Sequence, residues 1–179
     1  MTARPTRHTG VGGAALLDDP FGAVGTAGTV SRVLVVCTAN ICRSPVAERL
    51  LAHRLRSAGI DGVRVESAGL RARSGRDMEQ GARELLERLG ADPTGFVSRS
   101  IREVDLAGID LVLTATEAQR RRIVATEPAA PARVRTLRGF DGGGDVIDPF
   151  GAPESAWREL ELQLLPAIDA ATAWIGQNR

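Results

Sequence analysis

The feature that most constrains the fold is an alternation of short apolar runs with longer amphipathic segments. The first run, residues 33–36, is continuous and mostly β-branched, which is typical of a strand buried on both faces of a parallel sheet. The segment after it carries apolar side chains at helical spacing and stops at Gly59. Such alternation indicates βαβ units with right-handed crossovers. The sequence therefore predicts a single-domain α/β fold: an open, mainly parallel four-stranded sheet with helices on both faces.

The same pattern places the remaining elements along the chain. The predicted strands are 33–36, 63–65, 109–113 and 134–137. The predicted helices are 45–58, 77–89, a third that opens at 116, and 154–176. Thr116 and Gln119 have the spacing of a capping box for the third helix, which should end before Pro128. Pro166 is expected to kink or split the last helix.

Composition narrows the functional classes. With 43 % apolar and 25 % charged residues, the chain has the proportions of a soluble globular protein. Its net charge of +1 gives no reason to expect nucleic acid or an anionic membrane as a partner. A membrane-spanning run of about 18 apolar residues is missing, so membrane insertion is not expected. All 23 basic residues are arginine, which excludes a Schiff-base lysine and a Walker lysine.

The first 29 residues differ from the rest. Residues 1–29 include a Gly/Ala-rich stretch without a steady period and lack the apolar core of a secretory signal. We expect a disordered extension over 1–29 and a folded domain over 30–179. The two cysteines are too few for a disulfide scaffold. Without a signal, a reducing cytoplasm is the expected compartment.

The loop over residues 37–43 is the candidate site. It follows the first strand, and ligands of open parallel sheets bind beyond the carboxyl ends of the strands. Successive backbone N–H groups and a helix N-terminus suit a phosphate-sized dianion, and Arg43 adds a planar fork. Ser44 and Pro45 are expected as the N-cap and first residue of the helix. Cys37 lies in the same positive field, which favours a thiolate that attacks phosphorus; the alternative is a buried structural cysteine.

Attack on a phosphate ester also requires an acid for the leaving oxygen. The sequence has two histidines: His8 in the extension, and His53 in the middle of the first helix, where a surface or packing role is expected. The acid is therefore expected to be a carboxylate from a loop at the same sheet edge. Asp141, Asp145 and Asp148 are candidates, and the residues alone leave the choice among them open.

These motifs resemble a known family. The pattern Cys37-x5-Arg43-Ser44-Pro45, with Asn40 inside the loop, is similar to the signature of the low-molecular-weight protein tyrosine phosphatases. Glu66-Ser67-Ala68-Gly69, Ser98-Arg99 and Asp148-Pro149-Phe150 also fall where family members have similar segments. The resemblance covers the chain from about Arg32 to the C-terminal helix. It implies the phosphotyrosine phosphatase I-like fold, and it implies that 30–179 is the catalytic domain.

The resemblance implies a role for each matching residue. Cys37 is the expected nucleophile that forms a phosphocysteine, and Arg43 binds phosphate and stabilises the transition state. Ser44 donates to the Cys37 sulfur, Asn40 holds the loop in shape, and Asp148 is the general acid and then the general base. The residues expected to surround the phosphate are Thr38, Ala39, Asn40, Ile41, Cys42 and Ser44. The resemblance implies no metal and no cofactor.

Three positions depart from the family pattern or bear on substrate choice. Ala39 stands where the family usually has glycine, and it would be strained if that position needed a positive φ. Arg73 falls where several relatives place an aromatic residue, which leaves Phe150 as the aromatic wall and suggests a preference for acidic flanking residues. Ile41 should crowd a phosphoguanidinium, since relatives selective for phosphoarginine tend to have threonine there. The expected partner is therefore a phosphotyrosine-containing protein, with a bacterial tyrosine kinase as a candidate source.

Rival functions stay open at this point. An arsenate reductase of the thioredoxin-coupled type needs cysteines downstream of Cys42, and the chain has none, which leaves a version that uses an external thiol. A phosphoarginine phosphatase and a phosphate-binding module without catalysis are further alternatives. The family pattern makes Cys42 a candidate resolving thiol for an oxidised Cys37, with simple loop packing as the other interpretation.

Overall fold

Parallel strands alternate with helices throughout the part of the chain that the structure describes. The computed structural model describes residues 29–126 and 133–179. The strands are β1 (Arg32–Cys37), β2 (Arg64–Gly69), β3 (Leu111–Thr114) and β4 (Val134–Thr136). The helices are α1 (Arg43–Ser57), α2 (Gln80–Arg88), α3 (Glu117–Thr126) and α4 (Glu154–Gln177). Short 3₁₀ turns lie at Ile101–Glu103, Leu106–Gly108 and Leu137–Phe140.

The sheet is parallel throughout, in the order β2-β1-β3-β4. The apolar side chains of β1 alternate between two clusters. Val33 and Val35 pack with residues of α1, α2 and α4, whereas Leu34 and Val36 pack with Ile123 of α3. This alternation follows from the two-residue period of a strand. The predicted four-stranded parallel sheet with helices on both faces is confirmed.

The predicted N-cap of α1 is wrong. The helix begins at Arg43 and Cys42 is the cap residue, without a side-chain capping hydrogen bond. The Ser44 hydroxyl instead lies 3.0 Å from the Cys37 sulfur. The Ser44 side chain therefore contacts the Cys37 sulfur in the loop instead of capping the helix.

α2 begins three residues later than predicted. The N–H of Glu79 donates to the carbonyl of Ile41 at 2.8 Å, and Glu79 has an extended ψ of 148°. This hydrogen bond holds the chain out of the helix until Gln80. The segment just before α2 is thereby tied to the loop at residues 37–43.

Other boundaries show where sequence patterns worked and failed. The capping box is confirmed: the Thr116 and Gln119 side chains each accept from the other's backbone N–H, at 3.2 and 3.1 Å. β2 runs on to Gly69, beyond the predicted 63–65, because its polar residues are buried with partners rather than exposed. α4 is one continuous helix, so the predicted split at Pro166 is wrong; this residue lies on the exposed side, where water can reach the carbonyl that lacks a donor.

The two ends of the described chain meet. The buried Val30 donates its N–H to the carbonyl of Asn178 at 2.9 Å, which supports a folded unit from residue 30. The expectation of a disordered extension falls outside the described residues apart from Thr29. Over 29–126 and 133–179, the helices fall short of the length and apolarity needed to cross a bilayer.

The carboxyl ends of the strands bring four loops together. The loop after β1 is bonded to the segment after β2, since Leu70 N–H donates to the Cys37 carbonyl at 3.0 Å. Ala115, after β3, donates to the Val36 carbonyl at 2.9 Å and accepts from Val146 at 2.8 Å. Residues 37–43, 69–76, 115–116 and 139–153 therefore share one sheet edge. This is where open α/β sheets place their ligands.

Gly69 is packed tightly against the backbone of this edge. A Cβ there would lie 2.7 Å from the Thr38 carbonyl oxygen and 2.9 Å from the Asn40 nitrogen. Both are backbone atoms, so the loop itself would have to shift. Close approach, rather than a positive φ, therefore requires glycine at this position.

We predict that Gly69→Ala lowers the free energy of unfolding by about 1–3 kcal/mol, the usual effect of overpacking. Gly144→Ala is the matched control, because a Cβ there meets nothing within 4 Å. Urea unfolding followed by circular dichroism measures both variants. Equal stability of the two variants would contradict the close approach.

Candidate active site

The sulfur of Cys37 lies at the carboxyl end of β1, where the loop turns around it. The residue is only 2 % exposed. The backbone N–H of Asn40 donates to the sulfur at 3.3 Å, and the Ser44 hydroxyl lies 3.0 Å away. α1 starts one residue before Ser44, so its free N–H groups and positive dipole end face the same loop. The surroundings therefore stabilise negative charge on the sulfur.

Asn40 holds the loop in its turn. It is the one non-glycine residue with a positive φ, +57°, in the described part of the chain, and it is fully buried. Its amide donates to Ser44 Oγ at 2.9 Å and to Ser67 Oγ at 2.8 Å, and its oxygen accepts from the N–H of Arg99 at 2.9 Å. One side chain thus joins the loop, β2 and the segment after α2.

These hydrogen bonds also leave the Ser44 proton free to point at the Cys37 sulfur. Ser67 Oγ accepts from Asn40 and donates to a carboxylate oxygen of Glu48. Ser44 Oγ likewise accepts from Asn40, which leaves its own proton for the Cys37 sulfur. Burial raises the pKa of Glu48, and the hydrogen bond from Ser67 opposes that rise. Glu48 was not anticipated from the sequence, because this chain of contacts runs between distant segments.

Arg43 carries its charge almost wholly buried. Its Nη2 lies 2.6 Å from Asp148 Oδ2, and its Nη1 donates to the Val146 carbonyl at 3.4 Å. Its Nε is buried and has no hydrogen-bond partner within the described residues. Asp148 is 48 % exposed at its side chain, and its other oxygen accepts from the N–H of Phe150 at 3.3 Å. Asp148 and Val146 thus bind the two Nη atoms of Arg43, whereas its Nε has no partner within the described residues.

A cavity of about 300 Å³ opens over these groups. The residues that line it are Cys37, Thr38, Ala39, Ile41, Cys42, Arg43, Arg76, Asp148 and Phe150. Asn40 and Ser44 lie behind this wall and are fully buried. Arg76 was missed by the sequence analysis, which proposed Arg73 for the rim instead. Arg73 is exposed outside this lining, and its carbonyl accepts from Ser98 Oγ at 2.8 Å.

The structure separates the three candidate acids. Asp145 accepts from the N–H of Glu117 at 2.7 Å and thereby caps α3. Asp141 accepts from the N–H of Gly143 at 3.1 Å and pairs with Arg138 at 3.6 Å. Only Asp148 of the three lines the cavity, and His53 does not line it. Asp148 is therefore the candidate carboxylate that shares the cavity with Cys37 and Arg43.

The composition of this site is that of a phosphate-ester enzyme, and the comparisons with known proteins agree. A model of the family described as low molecular weight phosphotyrosine protein phosphatase matches residues 32–170. The chain belongs to this family.

Similar proteins carry two different substrate names. A protein-arginine-phosphatase of Geobacillus stearothermophilus is 34 % identical over 140 residues, covering 77 % of this chain and 91 % of that protein. The low molecular weight protein-tyrosine phosphatase A of Mycobacterium tuberculosis is 34 % identical over 153 residues, covering 82 % and 92 %. The crystal structure of the low molecular weight protein tyrosine phosphatase from T. tengcongensis has a TM-score of 0.74 and 34 % identity, covering 80 % and 98 %.

One departure from the family pattern, Ala39, finds a physical account. Ala39 does not have a positive φ, because the left-handed residue of this loop is its neighbour Asn40. The position therefore tolerates alanine without backbone strain.

The residues 29–126 and 133–179 hold no group of three or more His, Cys, Asp or Glu side chains that could bind a metal ion.

Cys42 is held in the thiol form. It is 3 % exposed, and burial, aided by the nearby Asp148 and Cys37, raises its pKa to about 12. Capture of an oxidised sulfur requires a thiolate. The raised pKa therefore slows any disulfide formation with Cys37 at neutral pH, and the resolving role stays a prediction.

We predict that iodoacetamide at pH 7 leaves Cys42 unmodified in the folded protein. A pKa of about 12 leaves roughly one thiol in 10⁵ ionised. In urea the pKa returns towards about 8.5 and labelling should appear. Fragmentation of the tryptic peptide 33–43 by mass spectrometry locates the label on either cysteine. Labelling of Cys42 at the same rate with and without urea would refute the burial effect.

Proposed function

We propose that this chain is a metal-independent phosphatase that hydrolyses protein phosphotyrosine through a phosphocysteine intermediate. The observation that carries the proposal is the convergence of Cys37, Arg43 and Asp148 on one cavity. A nucleophile, a phosphate-binding fork and an acid are the three parts that this reaction requires.

In the first step, the Cys37 thiolate attacks phosphorus and the bond to the tyrosine oxygen breaks. Asp148, protonated, gives its proton to that oxygen, so that tyrosine leaves as a neutral phenol. Arg43 donates to two equatorial oxygens, where charge accumulates in the transition state. The products of the step are phosphocysteine, the free tyrosine side chain and the Asp148 carboxylate.

In the second step, water attacks the phosphocysteine and the sulfur–phosphorus bond breaks. The Asp148 carboxylate takes a proton from the water, and inorganic phosphate forms. The Ser44 hydroxyl donates to the departing sulfur, a role that its 3.0 Å distance from that sulfur and its acceptance from Asn40 support. The acid and the thiolate are thereby restored for the next turnover.

The pair between Arg43 and Asp148 must open during this cycle. At 2.6 Å, the carboxylate occupies one side of the fork that phosphate needs. A phosphate dianion that accepts from Nε and Nη2 replaces Asp148 as the anionic partner of Arg43. Asp148 is then released towards the leaving oxygen at the cavity mouth.

Phosphotyrosine is favoured over phosphoarginine by the cavity wall. Relatives with either substrate name are 34 % identical to this chain, so identity does not decide. Ile41 lines the cavity with a branched apolar side chain, which offers no hydroxyl for a guanidinium. Phe150, 59 % exposed, offers a ring edge for the tyrosine.

Arsenate reduction would have to rely on an external thiol, since the sequence holds no cysteine after Cys42.

The cellular setting is part of the proposal. The relatives described above come from bacteria. We place the enzyme in a bacterial cytoplasm, where its substrates are proteins phosphorylated by a tyrosine kinase.

We predict that the protein releases phosphate from para-nitrophenyl phosphate and from phosphotyrosine peptides in the presence of EDTA. Cys37→Ser should reduce turnover to background, because a protonated hydroxyl is a weak nucleophile. Arg43→Lys should fail as well, because an ammonium cannot reproduce the fork.

Two parallel assays check the substrate. A phosphoarginine peptide and arsenate with an added thiol are offered to the same preparation. Faster turnover of either than of phosphotyrosine would overturn the substrate assignment.

We predict that Asp148→Asn slows phosphotyrosine hydrolysis by about 10²–10⁴-fold, the contribution of a general acid. The hydrolysis of para-nitrophenyl phosphate should slow much less, because nitrophenolate leaves without needing a proton. Asp145→Asn is the matched control, because asparagine can still accept from the Glu117 N–H. Steady-state kcat for both substrates decides the matter: equal losses for the two leaving groups would remove the acid role from Asp148.

A further inference from the structure

Two more cavities adjoin the catalytic one and continue it along α3. The nearer, of about 310 Å³, shares Thr38 and Arg43 with the catalytic cavity. The farther, of about 600 Å³, shares Leu70 and Arg122 with the nearer. The three therefore form one groove that begins at the catalytic loop and passes between α3 and the segment after β2.

The walls of this groove are basic. Arg71 and Arg122 line its near part, and Arg102 joins Arg122 in the far part. All three are exposed, and none forms an ion pair with a carboxylate in 29–126 or 133–179. The neighbouring Arg120 shows the contrast, since Glu117 on the same helix neutralises it at 2.7 Å.

One acidic side chain also belongs to the groove. Asp105 lines the far part, and its Oδ1 accepts from the N–H of Ala107 at 3.1 Å. The near part has no carboxylate in its lining as far as the structure describes it. The positive charge is therefore strongest next to the catalytic loop.

Thr38, between the catalytic cavity and the near part of the groove, is hydrogen-bonded to both neighbouring segments. Thr38 lines both cavities, and its hydroxyl accepts from the amide of Gln119 on α3 at 3.1 Å. Its carbonyl accepts from the N–H of Arg71 at 2.8 Å. A chain that enters the groove thus meets preformed walls on both sides.

We propose that this groove binds an acidic segment of the protein substrate, next to the phosphotyrosine. The proposal rests on the proposed function, which places the phosphotyrosine in the adjoining cavity. Guanidinium forks match carboxylates, and unpaired arginines along a groove select acidic over neutral side chains. Arg71 and Arg122 receive the carboxylates closest to the phosphotyrosine.

The test compares two phosphotyrosine peptides, one with Asp and Glu on both sides of the tyrosine and one with Asn and Gln at the same positions. The wild type should have the higher kcat/KM for the acidic peptide. Arg71→Gln and Arg122→Gln should each lower that preference by about two- to fivefold, the range of an exposed ion pair. Arg121→Gln is the matched control: Arg121 is an exposed arginine on the same helix that lies outside the groove lining.

Turnover of para-nitrophenyl phosphate distinguishes a failure of the proposed phosphatase function from a failure of the groove assignment. This small substrate should be hydrolysed equally by the wild type and all three variants, which also reports intact folding. If it is not hydrolysed by the wild type, the proposed function fails. If it is hydrolysed, but the acidic peptide has no advantage or Arg121→Gln reduces that advantage as much as Arg122→Gln, the groove assignment is overturned.

Discussion

The left-handed backbone at Asn40 is the constraint on which the rest of the site depends. A left-handed residue is unfavourable outside glycine, and asparagine tolerates it because its short side chain forms local hydrogen bonds. Here that side chain bonds Ser44, Ser67 and the backbone of Arg99. The turn aims one N–H at the sulfur, and the amide donates to the serine hydroxyl that lies beside the sulfur. Glycine would permit the turn but would supply none of these contacts.

The buried charge of Arg43 makes a second demand. A buried guanidinium needs an anion, and Asp148 supplies it from a loop more than a hundred residues away. That carboxylate is half exposed, so the cost of opening the pair falls on the buried Arg43, which then needs another anion. The loop that carries it is tied to the sheet through Val146, which bonds Ala115 after β3. Asp148 is therefore exposed to solvent at its carboxylate, while the loop that carries it is bonded to the sheet.

The parts that the sequence predicts are those with a local signal. The buried strand β1 follows from four apolar residues, and the capping box of α3 from the spacing of Thr116 and Gln119. The capping prediction for Ser44 failed, because its hydroxyl contacts the Cys37 sulfur across the loop. The sequence analysis missed the contacts of Glu48 and Arg76 with the site, because these contacts arise only when separate segments of the chain pack together. The roles of the loop residues rest on the family resemblance and on the assays that test them.

The resting pair between Arg43 and Asp148 also bears on how the enzyme tolerates its own product. Free phosphate must displace a carboxylate that is already seated on the fork, whereas a phosphoprotein gains further contacts along the protein surface. The carboxylate therefore acts as a tethered competitor whose effective concentration is high and constant. Sulfate and other small anions would have to displace the same carboxylate. Under the proposed function, the residue that donates the proton would therefore also weaken the binding of free phosphate to Arg43.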